Sequence, residues 1–215
     1  MPERSMNNDS ERILKYSRFY QTTLGKSIVK EEAKIVIEEF AGCNVILSVG
    51  CGTGQIESLI RDALSGALII CLDRSKEMLA NVVDPGYIVL GGATELPVAD
   101  EAIDAILFLT SLEFIDDCST AIAEADRVLD KKGRALFISL NFDSTYFKEK
   151  MLKEDSYIRR NIITTNHSTL DAYINERFDV KRIYFALDIS NGHVKMTRDP
   201  AKASIRIVSA NKLTG

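Results

Sequence analysis

The sequence predicts a doubly wound α/β fold, in which helices cover both faces of a mostly parallel seven-stranded sheet. Three observations support this. Apolar, strand-like runs alternate with helix-like segments through the middle of the chain. One such run, Val45–Val49, ends abruptly in glycines at positions 50, 52 and 54. The last two strand-like runs have no helical pattern between them, which favours an antiparallel terminal hairpin.

The elements follow from local patterns. We expect the first ten residues to be loose, and residues 143–175 to be helical or irregular. The Lys132-Gly133 pair predicts a glycine cap at the end of the fifth helix. Strands are predicted at Val45–Val49, Ala67–Leu72, Tyr87–Leu90, Ala102–Leu109, Arg134–Leu140, Phe178–Ile189 and Ser204–Ala210, and helices at Glu11–Tyr20, Lys26–Phe40, Gln55–Leu64, Lys76–Val82 and Ser119–Leu129.

Length and composition favour a single domain. The chain has 215 residues, of which 46% are hydrophobic, enough for one full core. Within it we expect N-terminal helices over residues 1–40, a ligand-binding core over 41–140, and a variable region with the terminal strands over 141–215.

Charge and hydropathy exclude several classes of partner. The net charge is −4, so the chain lacks the basic field that nucleic-acid binding usually requires. No apolar run is long enough to span a bilayer. The polar N-terminus has no apolar signal core, so we expect a cytoplasmic protein with reduced cysteines. The four cysteines show no metal-ligand spacing, and no metal site is expected.

The glycine turn predicts a nucleotide-type ligand. Glycines allow a sharp bend and let a ligand lie against the backbone, and the N–H groups of the following helix favour negative or electron-rich groups. The spacing is G-x-G-x-G, whereas a dinucleotide site reads G-x-G-x-x-G and would place glycine where Gln55 stands. Asp73 lies about 20 residues beyond the turn, at the end of the next strand, where a carboxylate accepts hydrogen bonds from a ribose diol.

Four motifs in order resemble the class I S-adenosylmethionine-dependent methyltransferases, specifically the small-molecule "type 11" domains. They are the glycine turn, the strand ending in Asp73, the segment Gly91–Asp100, and the Glu124–Gly133 segment. Two lead-in segments, Tyr16–Tyr20 and Thr23–Lys26, are also similar to this family. The resemblance covers about residues 16–140.

The resemblance implies a Rossmann-like sheet, S-adenosyl-L-methionine as cofactor and S-adenosyl-L-homocysteine as product. It also implies that the N-terminal helices lie over the cofactor. The residues it implies for cofactor binding are Tyr16, Tyr20, Gly50, Cys51, Gly52, Gly54, Asp73, Arg74, Met78, Gly92, Ala93, Thr94, Leu109 and Thr110.

Two positions depart from the family pattern. Ser48 stands where the family usually has an acid, two residues before the first glycine, near the methionyl ammonium of the cofactor. Gly92 stands where the family tends to have an aspartate that accepts from the adenine amino group, and Glu95 is an alternative acceptor. These departures motivate the alternative of a non-catalytic S-adenosylmethionine-binding subunit or sensor.

The sequence identifies the reaction class better than the catalytic residues. Methyl transfer to a small-molecule acceptor requires proximity above all, and requires a base when the acceptor carries a proton. Glu113, Tyr20 and His167 are candidates, although each also fits a packing role. A Y-x-x-x-K pair at Tyr146 and Lys150 matches NAD(P)-dependent short-chain dehydrogenases, but their glycine turn is absent. The sequence assigns neither the acceptor nor an oligomeric state.

Overall fold

The computed structural model describes residues 13–83 and 86–213. Two helices open the described chain: α1 covers residues 13–21 and α2 covers Thr23–Glu39. The predicted start of the first helix at residues 11–12 and the expected loose N-terminus fall among the undescribed residues.

Strands and helices then alternate as predicted. The strands are β1 (Val45–Val49), β2 (Leu68–Asp73), β3 (Tyr87–Leu90), β4 (Ile103–Leu109), β5 (Leu129–Leu140), β6 (Phe178–Ala186), β7 (Asp188–Ser190), β8 (His193–Lys195) and β9 (Ile205–Lys212). The remaining helices are α3 (Gln55–Ala63), α4 (Lys76–Leu79), α5 (Cys118–Val128), α6 (Thr145–Leu152), α7 (Tyr157–Asn161) and α8 (His167–Asn175), and a short 3-10 turn covers Leu112–Phe114.

One seven-stranded sheet has the order β3-β2-β1-β4-β5-β9-β6. The first five strands pair in parallel. β9 is antiparallel to both of its neighbours, β5 and β6. The predicted fold class is confirmed, with one detail added: the last strand inserts beside β5 and leaves β6 at the edge.

Two hydrophobic layers cover the sheet. One contains the α5 side chains Ala121, Ile122 and Ala125, packed with Phe108 of β4. The other contains the α2 side chains Ala33 and Val36, packed with Leu107 of the same strand. Phe108 and Leu107 are both fully buried, as expected for a parallel strand whose two faces are both covered.

Three local predictions were wrong. The long strand predicted over Phe178–Ile189 is broken at Leu187, whose φ of +62° ends β6, and a separate β7–β8 hairpin follows. Gly133 does not cap a helix, because β5 begins at Leu129, directly after α5. The second helix begins at Thr23 rather than at the predicted Lys26, because Thr22 caps α2 by accepting a hydrogen bond from Gly25 N at 3.0 Å.

Candidate functional site

Three glycines with left-handed backbone angles build the turn after β1. Gly50, Gly52 and Gly54 have φ values of +76°, +57° and +66°, where residues with a Cβ are disfavoured. A Cβ on Gly50 or Gly54 would approach neighbouring side chains to 2.7 or 2.8 Å. A Cβ on Gly52 would instead lie 3.3 Å from the Tyr16 hydroxyl, which comes from α1. The missing side chain of Gly52 therefore leaves space between the turn and α1.

The turn leads into α3 without a capping side chain. Gly54 occupies the N-cap position in the left-handed conformation and makes no side-chain capping bond. The first N–H groups of a helix have no partner within the helix, and they carry its positive dipole end. The start of α3 can therefore donate hydrogen bonds to a ligand on the turn.

Asp73 is held in place at the end of β2 by two backbone hydrogen bonds. Gly52 N donates to Asp73 Oδ2 at 2.9 Å, and Ser75 N donates to Oδ1 at 2.8 Å. The side chain is half-buried. Each carboxylate oxygen keeps acceptor capacity beyond these bonds. The acid predicted for a ribose diol thus has a fixed orientation beside the glycine turn.

A pocket lies between the glycine turn, the two N-terminal helices and the end of β4. Its lining includes six of the residues predicted for the cofactor. The full lining is Tyr16, Tyr20, Val29, Glu32, Gly50, Cys51, Gln55, Ile56, Glu57, Leu109 and Thr110.

Thr110 at the end of β4 has an unusual backbone conformation. Its φ is +44°, uncommon for a residue with a Cβ, and its N–H donates to Ile138 O at 2.6 Å. Such conformations often occur at functional sites. Its position on the pocket wall agrees with that pattern.

The other predicted cofactor residues follow β2 and β3. Gly91 N donates to Asp73 O at 3.1 Å, which brings the turn after β3 toward the end of β2. A Cβ on Gly92 would meet no heavy atom within 4 Å, so crowding does not require glycine there. Arg74 and Thr94 are exposed, whereas Met78, Gly92 and Ala93 are half-buried.

Sequence reasoning missed two acids in the pocket. Glu32 is 7% exposed and Glu57 is 3% exposed. Burial is the main cause that raises the pKa of both carboxyl groups, to about 8 for Glu32, and each acid also faces the negative charge of other acids. The available signal was that Glu32 lies within the apolar stripe of α2, between Ile28 and Val36. Glu57, in the first turn of α3, has the pattern of an ordinary helix-dipole acid and gives no such signal.

Tyr16 and Tyr20 from α1 form one wall of the pocket. The Tyr16 and Tyr20 rings lie 4.9 Å apart, edge to face. Burial raises the pKa of both phenols above the ordinary value, so both are neutral near pH 7. Their positions agree with the prediction that N-terminal residues lie over the glycine turn.

The structure places Glu113 and His167 away from the pocket lining. Glu113 is fully buried; its Oε1 accepts from Leu140 N at 2.9 Å. His167 Nε2 lies 3.0 Å from Leu140 O, and its ring stacks on Phe142 at 4.3 Å. Both side chains thus support the end of β5. Their catalytic role stays a prediction.

The Glu124–Gly133 segment has a specific structural role. Arg127 donates to Leu96 O at 3.0 Å and to Val98 O at 2.8 Å, and pairs with Glu124 at 2.7 Å. Glu124 Oε2 also accepts from Leu96 N at 2.7 Å. The E-x-x-R spacing therefore fixes the loop between β3 and β4 to α5.

Comparisons with known proteins agree with this geometry. Residues 47–137 match the family model described as "Methyltransferase domain" (Methyltransf_11). This match covers the glycine turn, Asp73 and the ends of the strands that carry them, and it supports the resemblance to the class I S-adenosylmethionine-dependent methyltransferases. The resemblance proposed from the sequence motifs is confirmed, and S-adenosylmethionine is the cofactor of this family.

Curated methyltransferases match part of the chain. A malonyl-[acyl-carrier protein] O-methyltransferase of Methylococcus capsulatus is 30% identical over 131 residues, which are 57% of this chain and 47% of that protein. A demethylmenaquinone methyltransferase of Thermotoga maritima is 30% identical over 98 residues, 44% of this chain and 43% of that protein. The chain thus spans less than half the length of these two relatives.

Solved structures share the fold. A methyltransferase structure from Thermotoga maritima has a TM-score of 0.78 at 17% identity, covering 94% of this chain and 96% of its own. One from Archaeoglobus fulgidus has a TM-score of 0.74 at 18% identity, covering 92% and 99%. The family-model match over residues 47–137 favours the methyltransferase interpretation over the dehydrogenase alternative. The Y-x-x-x-K pair that suggested the dehydrogenase lies on α6, where Lys150 Nζ is 5.0 Å from the centroid of the Tyr146 ring.

The residues present fit the cofactor of the methyltransferase family. The turn is a backbone cradle in which a Cβ on Gly52 would enter the space below Tyr16. The Asp73 carboxylate stands at its edge with acceptor capacity left for hydroxyl groups.

Within residues 13–83 and 86–213, no cluster of His, Cys, Asp and Glu is arranged to hold a metal ion, and no helix has the length and hydropathy to cross a bilayer.

Proposed function

We propose that this chain transfers a methyl group from S-adenosylmethionine to a small-molecule acceptor. The observation that carries the proposal is the glycine turn with Asp73 pinned at its side, next to a pocket that the N-terminal helices cover. The family supports the same reaction class.

Each wall of the site has a distinct role in this proposal. The turn at Gly50–Gly54 would hold the nucleoside against the backbone, and Asp73 would accept from the ribose hydroxyls. Residues after β2 and β3 would surround the adenine, and the end of β4 would border the methionyl part. The adenine set is Arg74, Met78, Gly92, Ala93 and Thr94, and the methionyl set is Tyr16, Tyr20, Cys51, Leu109 and Thr110.

The protein's contribution to the reaction is orientation and exclusion of water. When bound, S-adenosylmethionine supplies a methyl group already activated on a sulfonium, so the difficult chemistry belongs to the cofactor. Tyr16 and Tyr20 would cover the pocket as neutral phenols and keep solvent away from the reacting centre. The chain would hold the acceptor in line with the methyl group, and proximity would supply most of the rate.

We also propose a role for each part of the domain and a cellular location. Residues 1–40 would form the lid, 41–140 the cofactor core, and 141–215 the acceptor-selecting region and terminal strands. The helices α6 to α8 are irregularly connected, as is common for segments that carry specificity. The names of the curated relatives, malonyl-[acyl-carrier protein] and demethylmenaquinone methyltransferases, support an organic acceptor, free or carried on a protein. A cytoplasmic location agrees with the four free cysteines.

Calorimetric titration tests the proposal. The purified chain is titrated with S-adenosylmethionine, S-adenosylhomocysteine, NADH and NADPH, and then incubated with S-adenosylmethionine and candidate acceptors while S-adenosylhomocysteine is measured. We expect micromolar binding of the first two ligands alone, and acceptor-dependent product. Binding without turnover on any acceptor would favour the non-catalytic binding subunit, and binding of NADH or NADPH in their place would contradict the proposal.

A further inference from the structure

Two buried carboxyl groups from different helices face the same pocket. Glu32 comes from α2 and Glu57 from α3, and both belong to the lining next to Gly50 and Thr110. Glu32 is 7% exposed and Glu57 is 3% exposed. Burying two acids beside one another is costly unless something compensates their charge.

The described surroundings compensate Glu57 in part and Glu32 hardly at all. Glu57 Oε1 accepts from Ser48 Oγ at 2.5 Å, and the charge of Arg61 lowers the Glu57 pKa by less than burial raises it. Among the described residues, none donates a hydrogen bond to the Glu32 carboxylate, and its raised pKa comes from burial and the charge of Glu57. The titratable groups that face the two acids are the phenols of Tyr16, Tyr20 and Tyr146, the carboxylate of Asp73 and the guanidinium of Arg61. Arg61 acts on Glu57, and the electrostatic interactions of Glu32 are with Glu57 and the phenols.

The sheet order shows which part of the ligand lies here. β1 stands between β2, which carries Asp73, and β4, which ends at Thr110. A nucleoside with its ribose on Asp73 that extends across the glycine turn reaches the β4 side, where Glu32 and Glu57 lie. At that end S-adenosylmethionine has two positive groups, the sulfonium and the α-ammonium. The ammonium has three N–H donors that suit carboxylate acceptors, and the sulfonium has none.

We propose that Glu32 and Glu57 together form the subsite for the α-ammonium group of S-adenosylmethionine. The subsite rests on the proposed function, since it requires that cofactor on the glycine turn. Ser48 then supports the carboxylate of Glu57 in place of supplying one itself. The two helices, rather than the strand, provide the negative charge.

Binding should release a proton. Burial raises the pKa of Glu32 to about 8, so a substantial fraction of this carboxyl group carries a proton at pH 7.5 before binding. An ammonium placed against it favours the ionised form and lowers that pKa. The released proton makes the binding enthalpy depend on the ionisation enthalpy of the buffer.

The test compares two ligands that share the adenosine and the thioether. S-adenosylhomocysteine carries the amino-acid part, and 5′-methylthioadenosine lacks it. Glu32→Gln and Glu57→Gln are nearly isosteric, and Glu38→Gln, on the exposed face of α2, is the matched control. Each full-length variant is titrated with both ligands in phosphate and in Tris at pH 7.5, and its fold is checked by circular dichroism and thermal melting.

We expect each pocket variant to bind S-adenosylhomocysteine at least tenfold more weakly and 5′-methylthioadenosine within about twofold of the unmodified chain. A loss of about tenfold or more corresponds to a charge-assisted hydrogen bond of roughly 1.5–3 kcal/mol. Proton release should accompany S-adenosylhomocysteine alone, and it should disappear in Glu32→Gln. The control should behave as the unmodified chain.

Unchanged affinity for S-adenosylhomocysteine in both folded variants would overturn the inference while leaving the proposed function intact. An equal loss for both ligands would also overturn it, because the acids would then shape the whole pocket. If the unmodified chain bound neither ligand, the proposed function would fail as well. Should one variant not fold, the other still decides the question.

Discussion

The hydroxyl of Ser48, in the middle of the sheet, donates a hydrogen bond of 2.5 Å to the carboxylate of Glu57 on α3. Both side chains are almost fully buried, at 2% and 3% exposure. The strand therefore lacks an acid of its own, yet it orients one that the next helix supplies. This contact links the glycine turn to the electrostatics of the pocket beside it.

Replacing Asp73 with alanine should weaken cofactor binding by one to two orders of magnitude. The carboxylate is fixed by Gly52 N and Ser75 N, and hydrogen bonds from a ligand to a charged group contribute roughly 1.5–3 kcal/mol. Calorimetry with S-adenosylhomocysteine measures the change. Asp62→Ala, an exposed acid on α3, is the control. Full affinity in a folded Asp73→Ala variant would remove this residue from the site.

Gly52→Ala should abolish or strongly reduce binding, because the new Cβ enters the space between the turn and Tyr16. Gly42→Ala separates this effect from backbone strain. Gly42 also has a left-handed φ, +81°, but a Cβ there meets nothing within 4 Å. Each substitution should destabilise the fold by about 1–2 kcal/mol. A binding loss confined to Gly52→Ala is expected, and equal binding by both variants would place the ligand elsewhere.

Arg127→Ala should destabilise the protein by about 1–3 kcal/mol, since carbonyl groups of Leu96 and Val98 lose their donor. Urea denaturation measures the free energy of unfolding, and hydrogen exchange measures opening of the loop between β3 and β4. Lys131→Ala, at an exposed position in β5, should change neither. Arg127→Lys should recover little, because an ammonium lacks the planar fork that reaches several acceptors. If the Arg127→Ala variant showed the same hydrogen exchange in that loop as the unmodified chain, the Arg127 hydrogen bonds would not be needed to hold the loop.

Glu113 should contribute less to the stability of the fold as the pH rises from about 5 to about 8. Burial raises the pKa of Glu113 to about 7, above the value of about 4.3 for an exposed glutamate. The folded state therefore binds the proton more tightly than the unfolded state. This contribution to the free energy of unfolding is present at low pH and is lost as the pH rises through about 7.

Glu113→Gln should remove about 2–3 kcal/mol of that pH dependence, because glutamine does not titrate and its carbonyl can still accept from Leu140 N. Denaturation at pH 5 and at pH 8 gives the difference, with Glu38→Gln as an exposed control on α2. A variant with the same pH slope as the unmodified chain would mean that Glu113 is ionised in the folded protein throughout this range.

Sequence periodicity predicted the parallel half of the sheet because its strands are buried on both faces and form near-continuous apolar runs. The terminal region was less predictable. The left-handed conformation of Leu187 divides one apolar run into β6 and β7, and no residue type announces it. Likewise, Gly133 resembles a helix cap in the sequence but lies within β5.

The site was predictable where chemistry is tied to a motif. The glycines of the turn and Asp73 could be named in advance from their spacing, and the tyrosines of α1 from the family resemblance. The structure brings them together around the turn, and their role in cofactor binding stays a prediction. Glu32 and Glu57 could not be named in advance, since their meeting depends on how α2 packs on α3, a contact between segments 25 residues apart in numbering (57 minus 32). A departure from the family pattern such as Ser48 can therefore be interpreted only once its neighbour in the folded chain, Glu57, is known.

A crystal structure with S-adenosylhomocysteine tests the central claim most directly. We expect the ligand on the turn at Gly50–Gly54, with its ribose hydroxyls within about 3 Å of the Asp73 carboxylate, the usual hydrogen-bond distance. A ligand bound elsewhere, with no contact to Gly52 or Asp73, would contradict the account.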